Sequence, residues 1–502
     1  MKSLVSYLKY SILLCGLASC GVELPNSYDK SESKPFLNPD IADIDIPCNI
    51  APINFSICHR GDDYISHFYT NSDKTGFLEN GKSPSIDIEQ WHNLINNAQG
   101  DTLFIDVYVK NNGKYLKYST IRNAICDSID RYISYRLIEP SYISFETMAI
   151  CQRDLSSFDE TEIYNSQSLS DENRGQCINC HSYQNFNRNG NMQMHIRVGN
   201  GGTLIAYDND LKKVDLSTPN TISSGVYPSW HPTKPLIAYS VNNTSQNFHT
   251  RDINKIEVQD SKSDLILYDV NKETITPIAM EATELETFPY WHPDGNSIWY
   301  VSAKVPALEE KEMLEYMNLN YEEIKYDIYR KPFDCERNVF GETDTIFKAS
   351  EIGKSATLPR PSPDGKYLLF TMGDFGTFHI WHHDSDLYLM NIATGDVRCV
   401  DEINSTDTES YHSWSSNGKW VIFSSRRDDG SYTRLYISHF KSDGTFGKPF
   451  RLPQLTAEHD ERLMKSYNIP EFMVSPVTIS KRRLIETIKS DPKRVSSKFA
   501  QL

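Results

Sequence analysis

The chain has 502 residues, of which 39% are hydrophobic, 12% aromatic and 24% charged, with a formal net charge of -16. That acidity argues against nucleic acid as a partner and against an anionic lipid surface, since both reward a basic patch and none is visible. The apolar fraction is that of a folded protein, and the length allows about two to four ordinary domains or one large repeat domain.

In chain order, Lys9 is the last charge before an apolar run from Tyr10 to Leu17, which ends in Leu17-Ala-Ser-Cys20. The run is too short for a permanent membrane span, and small residues precede the cysteine, so residues 1–19 read as a signal peptide. Leu-Ala-Ser-Cys resembles the lipobox of bacterial lipoproteins, which implies lipid on Cys20 and a membrane anchor. Gly21 follows in place of Asp, which favours the outer membrane over inner-membrane retention, with the periplasmic or surface face left open.

Residues 20–46 are polar and acidic without apolar periodicity, the pattern of a lipidated tether. Residues 47–150 read as a small α+β or β-sandwich module. Within it, Asp101 to Val109 alternates like a strand, Asn111-Asn-Gly113 reads as a turn, and Lys114 to Tyr118 resumes the alternation, predicting a hairpin. Ile121, Ala124, Ile125, Ile129, Ile133 and Leu137 lie at the spacing of one helix face. Apart from Cys15, Cys20 and the motif below, six cysteines remain: Cys48, Cys58, Cys126, Cys151, Cys335 and Cys399. An exported chain permits disulfides among them, with pairing expected within the first four and buried thiols as the alternative.

Residues 151–200, read as a haem-binding segment and the start of the repeat domain, carry Cys177-Ile-Asn-Cys180-His181 in a polar, loop-like setting. Two thiols three residues apart reach the two vinyl groups of one haem, and the adjacent histidine supplies an axial ligand. A thioredoxin-like pair would not need His181, and zinc would need two further ligands that no second Cys/His pair provides. One covalent c-type haem is therefore expected on an inserted loop. For the second axial position the candidates are Met192, Met194, His195 and Met473. Met192 is favoured because it still lies in the polar segment after Gly190, and core packing is the plain alternative for each methionine.

Residues 201–475 repeat themselves. Pro228-Ser-Trp-His-Pro232, Pro289-Tyr-Trp-His-Pro-Asp-Gly295, Pro359-Arg-Pro-Ser-Pro-Asp-Gly365 and His412-Ser-Trp-Ser-Ser-Asn-Gly418 are each followed by an apolar strand-like run. A strand, a Pro-Asp-Gly or Asn-Gly turn and a returning strand form a hairpin that buries its faces only by packing on its copies, which predicts a mainly β propeller. Trp230, Trp291, Trp414, His231 and His292 recur at repeat positions and are assigned to packing. His379, His382 and His383 fall in a stretch, residues 374–386, read as a solvated loop, and residues 476–502 read as a basic tail.

The four units resemble WD-like repeats of TolB-type propellers, which implies six blades, with Gly201 to Tyr207 as part of a degenerate unit. Together with Pro47-Cys-Asn-Ile-Ala-Pro-Ile-Asn-Phe55, Tyr135-Arg-Leu-Ile-Glu-Pro140, Gln152-Arg-Asp-Leu155, the Cys177 motif and Tyr467-Asn-Ile-Pro-Glu-Phe472, they resemble TolB-like lipoproteins of anaerobic gut bacteria that bear a cytochrome c motif. That resemblance implies architecture and haem, not a reaction. Electron transfer or a redox-linked scaffold in the cell envelope, with an envelope protein or redox partner, is the leading expectation. A protein- or glycan-binding propeller with structural or sensory haem, and a haem peroxidase, are the alternatives. A hydrolase is disfavoured, since no Gly-x-Ser-x-Gly elbow occurs.

Overall fold

The computed structural model describes residues 22–139, 147–169 and 176–498; the leader, Cys20 and the residues just before the Cys177 motif lie outside it. The fold is mainly β, a seven-stranded N-terminal sheet set against a propeller-like ring of packed sheets. Among the described residues no helix is long and apolar enough to cross a membrane.

In the N-terminal sheet the predicted hairpin forms: Thr102–Asn111 pairs antiparallel with Lys114–Lys117. Its loop is Asn112 and Gly113, both at positive φ (51° and 81°), the geometry that matches the twist of the flanking strands. Two expectations fail nearby. The helix expected over residues 121–137 is instead two strands, Ile121–Cys126 in this sheet and Tyr132–Ile138 in the ring. Isoleucine spacing fitted either period, and β-branched side chains on a pleated surface decided it. Residues 22–46 are not a free tether: Tyr28–Lys30 and Asp45–Pro47 pair parallel with Lys114–Lys117 and Ile121–Cys126. Ile41, Ile44 and Ile46 are buried there, apolar anchors spaced too irregularly to show as a period.

Four blades of the ring stand as separate sheets. One runs Cys177–Tyr183, Met192–Arg197, Gly202–Tyr207, Asp210–Asp215; another Ser355–Pro361, Tyr367–Gly373, Asp386–Asn391, Val397–Cys399. A third runs Glu409–Trp414, Trp420–Ser425, Arg434–His439, Phe450–Arg451. The fourth joins the two ends of the ring: Ser466–Met473 pairs antiparallel with Tyr132–Ile138, from Tyr132 opposite Met473 to Ile138 opposite Ser466. The ring thus begins at Tyr132, ahead of the expected start within residues 151–200, and one strand from each end closes it. A ten-stranded sheet contributes two successive meanders, opening at Val226–Trp230 and Glu284–Trp291.

Apolar clusters fill the gaps between successive sheets, for example Leu369, Leu389, Trp414, Val421 and Phe423. Such burial contributes roughly 25 cal/mol per Å² and is the main force holding the ring. The repeat histidines are packing devices, as expected. His231 Nε2 donates to the Gly295 carbonyl of the next turn (3.1 Å), while its Nδ1 accepts from the Thr233 and Lys234 N–H groups.

Three further expectations are corrected. The stretch around His379 is not solvated: His379 and His382 are buried, and His382 Nε2 lies 2.9 Å from a Glu257 carboxylate oxygen inside the fold. The tail is docked, because helix Lys481–Lys489 buries Leu484 and Ile488 while Lys493–Arg494 and Ser496–Ser497 add edges to two sheets. All eight described cysteines are free, so the pairing expected among Cys48, Cys58, Cys126 and Cys151 is not formed. Cys58 is exposed and Cys151 sits inside the strand Ala149–Asp154, positions fixed by different sheets.

Candidate functional site: the waist of the central channel

The Cys177 motif is not on an inserted loop. It is the innermost strand of a blade, Cys177–Tyr183, and its register against Met192–Arg197 shifts between Asn179 and Ser182. Cys180 occupies that bulge with φ 51°. The same event recurs in every innermost strand: Tyr227 (48°), Phe288 (50°), Leu358 (53°), Tyr411 (45°) and Ile469 (51°) each sit at a register shift. Left-handed backbone at non-glycine residues costs of order 1–3 kcal/mol each, so a ring of them is an imposed feature. All six residues border one narrow cavity, the waist of the channel, together with His181, Arg360 and Glu471.

The waist separates two mouths. At the wider, residues early in the innermost strands line a cavity of about 620 Å³, and Cys177, Cys180, Arg136, His195 and Arg197 are among its lining. Residues late in those strands line a cavity of about 290 Å³, including Trp230, Tyr290, Trp291, Arg360 and Trp414. The larger volume lies within the roughly 300–1,000 Å³ of small-molecule and cofactor sites.

On the wall of the wide mouth, Asn179 Nδ2 donates to Cys177 Sγ (3.0 Å), and Asn179 Oδ1 accepts from Arg136. Burial raises the Cys177 thiol pKa, with Arg197 and Arg136 working against it. His181 is buried at the waist, where its ring meets the Ile469 backbone without a hydrogen bond of full geometry at either nitrogen. Burial, then the Arg136 charge, pushes its pKa down to about 3. His195 borders the wide mouth, its Nδ1 3.0 Å from Thr203 Oγ1, and burial followed by Arg197 takes it to about 3 as well. Both imidazoles are therefore neutral at physiological pH, the state that ligates a metal. A hydrogen bond fixing one ring nitrogen is the usual way to aim the other.

Met192 is not in a loop. It opens the strand Met192–Arg197, and Met192, Met194 and Met473 are all buried in one apolar cluster with Ile178 and Tyr183. Side chains alternate along that strand, so Gln193, His195 and Arg197 take the other face. Of the four candidate second ligands, only His195 borders the cavity that the cysteines border.

The residues present fit a covalent haem: two thiols on one cavity wall, a buried imidazole beside them, a second imidazole opposite the methionine face, and two guanidiniums suited to carboxylates. They fit zinc less well. Among the described residues, three metal-donor atoms within 4.8 Å of one another occur at Asp45, Cys126 and His439, and not at the Cys177 motif. Sequence reasoning missed the ring of bulges and both arginines. The signal was present: Cys180-His-Ser-Tyr183 aligns with Tyr227-Pro-Ser-Trp230 and Tyr411-His-Ser-Trp414.

No family model matches the sequence, and no curated protein matches it. Among solved structures, the chain is similar to an apocarotenoid oxygenase of Synechocystis in mutant form, at 9% identity and TM-score 0.35, covering 84% of this chain and 97% of that one. It is similar to a GH74 enzyme of Niastella koreensis at 11% identity and TM-score 0.33, covering 54% of this chain but only 38% of that one. An endo-arabinase of Bacteroides thetaiotaomicron gives 14% identity and TM-score 0.23, covering 57% and 91%.

Proposed function

We propose that this chain is an envelope electron-transfer protein carrying one c-type haem in the wide mouth of its channel. Cys177 and Cys180 would hold the haem covalently, His181 would ligate the iron from the waist, and His195 is the better candidate than Met192 for the other axial position. The single observation that carries this reading is the pairing of two free thiols on one cavity wall with an adjacent buried imidazole that makes no hydrogen bond of full geometry. Haem, when bound, supplies a one-electron couple whose potential follows its axial ligands. Arg136 and Arg197 would neutralise its carboxylates, and the waist residues would keep water from that side. Were His181 and His195 both to hold the iron, the haem would supply electron transfer rather than peroxidase chemistry.

We read the ring as a six-bladed TolB-like propeller, supported by one bulge in each of six innermost strands. Anchoring through Cys20 in the outer membrane belongs to the same proposal and rests on the leader sequence. The test is a pyridine haemochrome spectrum of protein matured in a host that assembles c-type cytochromes. A haem stain that stays with the denatured chain, and is lost in Cys177→Ala with Cys180→Ala, is the expected result. An unstained chain from such a host would refute the proposal.

A second reading has its own observation. The narrower mouth presents Trp230 and Trp291, whose buried indole N–H groups have no partner, beside Tyr290 and Arg360. That chemistry suits a glycan or peptide group stacked on aromatics. Quenching of tryptophan fluorescence by an oligosaccharide, abolished by Trp291→Ala, would support a binding module.

A further inference from the structure

The seam between the N-terminal sheet and the ring holds a second cluster of donors, remote from the channel. Parallel pairing sets Asp45 opposite Ala124 and Pro47 opposite Cys126, which brings Asp45 and the Cys126 thiol to one edge. His439, the last residue of the ring strand Arg434–His439, comes to the same place. One ligand atom from each of Asp45, Cys126 and His439 lies within 4.8 Å of the other two. Donors around a tetrahedral zinc stand about 3.5 Å apart, so little movement is needed to converge.

The plain alternative is a seam ion pair: His439 Nδ1 lies 3.1 Å from Asp45 Oδ2, and Lys441 Nζ lies 3.4 Å from the same oxygen. That reading leaves much unexplained. His439 Nε2 is buried without a hydrogen-bond partner, its nearest anion being Asp127 Oδ2 at 3.9 Å. The imidazole is held in place by Trp420, ring centroids 4.7 Å apart. The Asp45 carboxylate is admitted by a glycine, because a Cβ on Gly447 would come 2.6 Å from Oδ2. The Cys126 thiol's hydrogen bond, to the Ala124 carbonyl, is a long one at 3.8 Å.

We propose that Asp45, Cys126 and His439 form a mixed sulfur, nitrogen and oxygen site for a borderline divalent cation of the Zn²⁺ class, which clamps the N-terminal sheet to the ring. Three protein donors leave the fourth position to water. Binding exchanges the Cys126 thiol proton for the metal–sulfur bond, releasing one proton per cation. Lys441, with its side chain 43% exposed, turns to solvent when the cation neutralises Asp45.

The experiment uses the full mature chain, stripped of metal and titrated with Co²⁺. A thiolate-to-cobalt charge-transfer band is expected, bleached by added Zn²⁺, present in Cys48→Ser and lost in Cys126→Ser. His439→Gln should weaken binding at least tenfold. Lys441→Ala, which removes a competing cation and no donor, should tighten it. No band in the wild type, a band that survives Cys126→Ser, weaker binding in Lys441→Ala, or a Cys48–Cys126 disulfide in the secreted protein would each overturn the proposal.

Discussion

Turn glycines of the ring stand in graded positions against the preceding blade, which makes the cost of adding a methyl group calculable. Gly295 (φ +73°), Gly365 (+69°), Gly418 (+66°) and Gly395 (+78°) share nearly one backbone conformation. A Cβ at Gly295 would meet the His231 ring at 2.6 Å, at Gly365 the His292 ring at 2.9 Å, at Gly418 Pro363 at 3.5 Å, and at Gly395 nothing within 4 Å. Each Gly→Ala change carries the left-handed backbone penalty of about 1–2 kcal/mol. Gly295→Ala adds overpacking of about 1–3 kcal/mol, because both His231 nitrogens are engaged and the ring cannot withdraw cheaply. The expected order of destabilisation is Gly295→Ala, then Gly365→Ala, then Gly418→Ala and Gly395→Ala together, read by urea unfolding of the four variants. If Gly395→Ala costs as much as Gly295→Ala, the packing of repeat histidines on the next turn is not what those residues do.

Glu286 is fully buried, and burial drives its carboxyl from the ordinary 4.5 up to about 8, against the N–H that Glu281 donates to it and with Asp264 adding. The folded state then holds a proton that the unfolded chain loses, so stability is full below about pH 4.5 and falls as pH rises toward 8. Glu286→Gln should flatten that decline in thermal melts, and an unchanged slope would show that Glu286 is not its source. His382→Ala strands the Glu257 carboxylate inside the fold and should cost about 3–5 kcal/mol in urea, whereas a loss under about 1 kcal/mol would mean the pair is dispensable. For haem-loaded protein, His195→Ala should convert a low-spin ferric spectrum to high-spin while Met192→Ala leaves it unchanged; the reverse result would return the assignment to Met192.

Legibility followed the repeats. The Pro-Asp-Gly and Asn-Gly turns carry local chemistry, so the hairpins from Val226 onward, and the Asn112-Gly113 hairpin before them, could be read residue by residue. What could not be read was non-local. That Ser466–Met473 pairs with Tyr132–Ile138 is a contact across more than three hundred residues, carried by no turn signal. The helix expected over residues 121–137 failed because isoleucines four apart satisfy a helix while Ile121, Asn123 and Ile125 satisfy a strand, and only the neighbouring Thr102–Asn111 decides between them. At the site, the motif itself was legible but its setting was not: Met192 looked loop-like from Gly190, whereas pairing with Ala206 commits it to a sheet.

The ring of bulges also changes what the motif means. Cys180 and His181 stand at positions that every blade fills, with Pro228, Pro289, Pro359, His412 and Pro470 as the counterparts of His181. A histidine there is therefore no evidence of haem by itself, since His412 serves the fold by bonding the Leu369 carbonyl through Nε2 at 2.8 Å. The difference lies in what the repeat does not explain. His181 makes no bond of that geometry, its ring lying against the Ile469 backbone instead. Cys177 lies outside the repeated bulge, yet its thiol borders the same cavity as Cys180. Four siblings fill the His181 position with proline and the fifth with a bonded histidine, so the thiol three residues before Cys180, absent from all five, is the feature of this blade that the repeat does not supply.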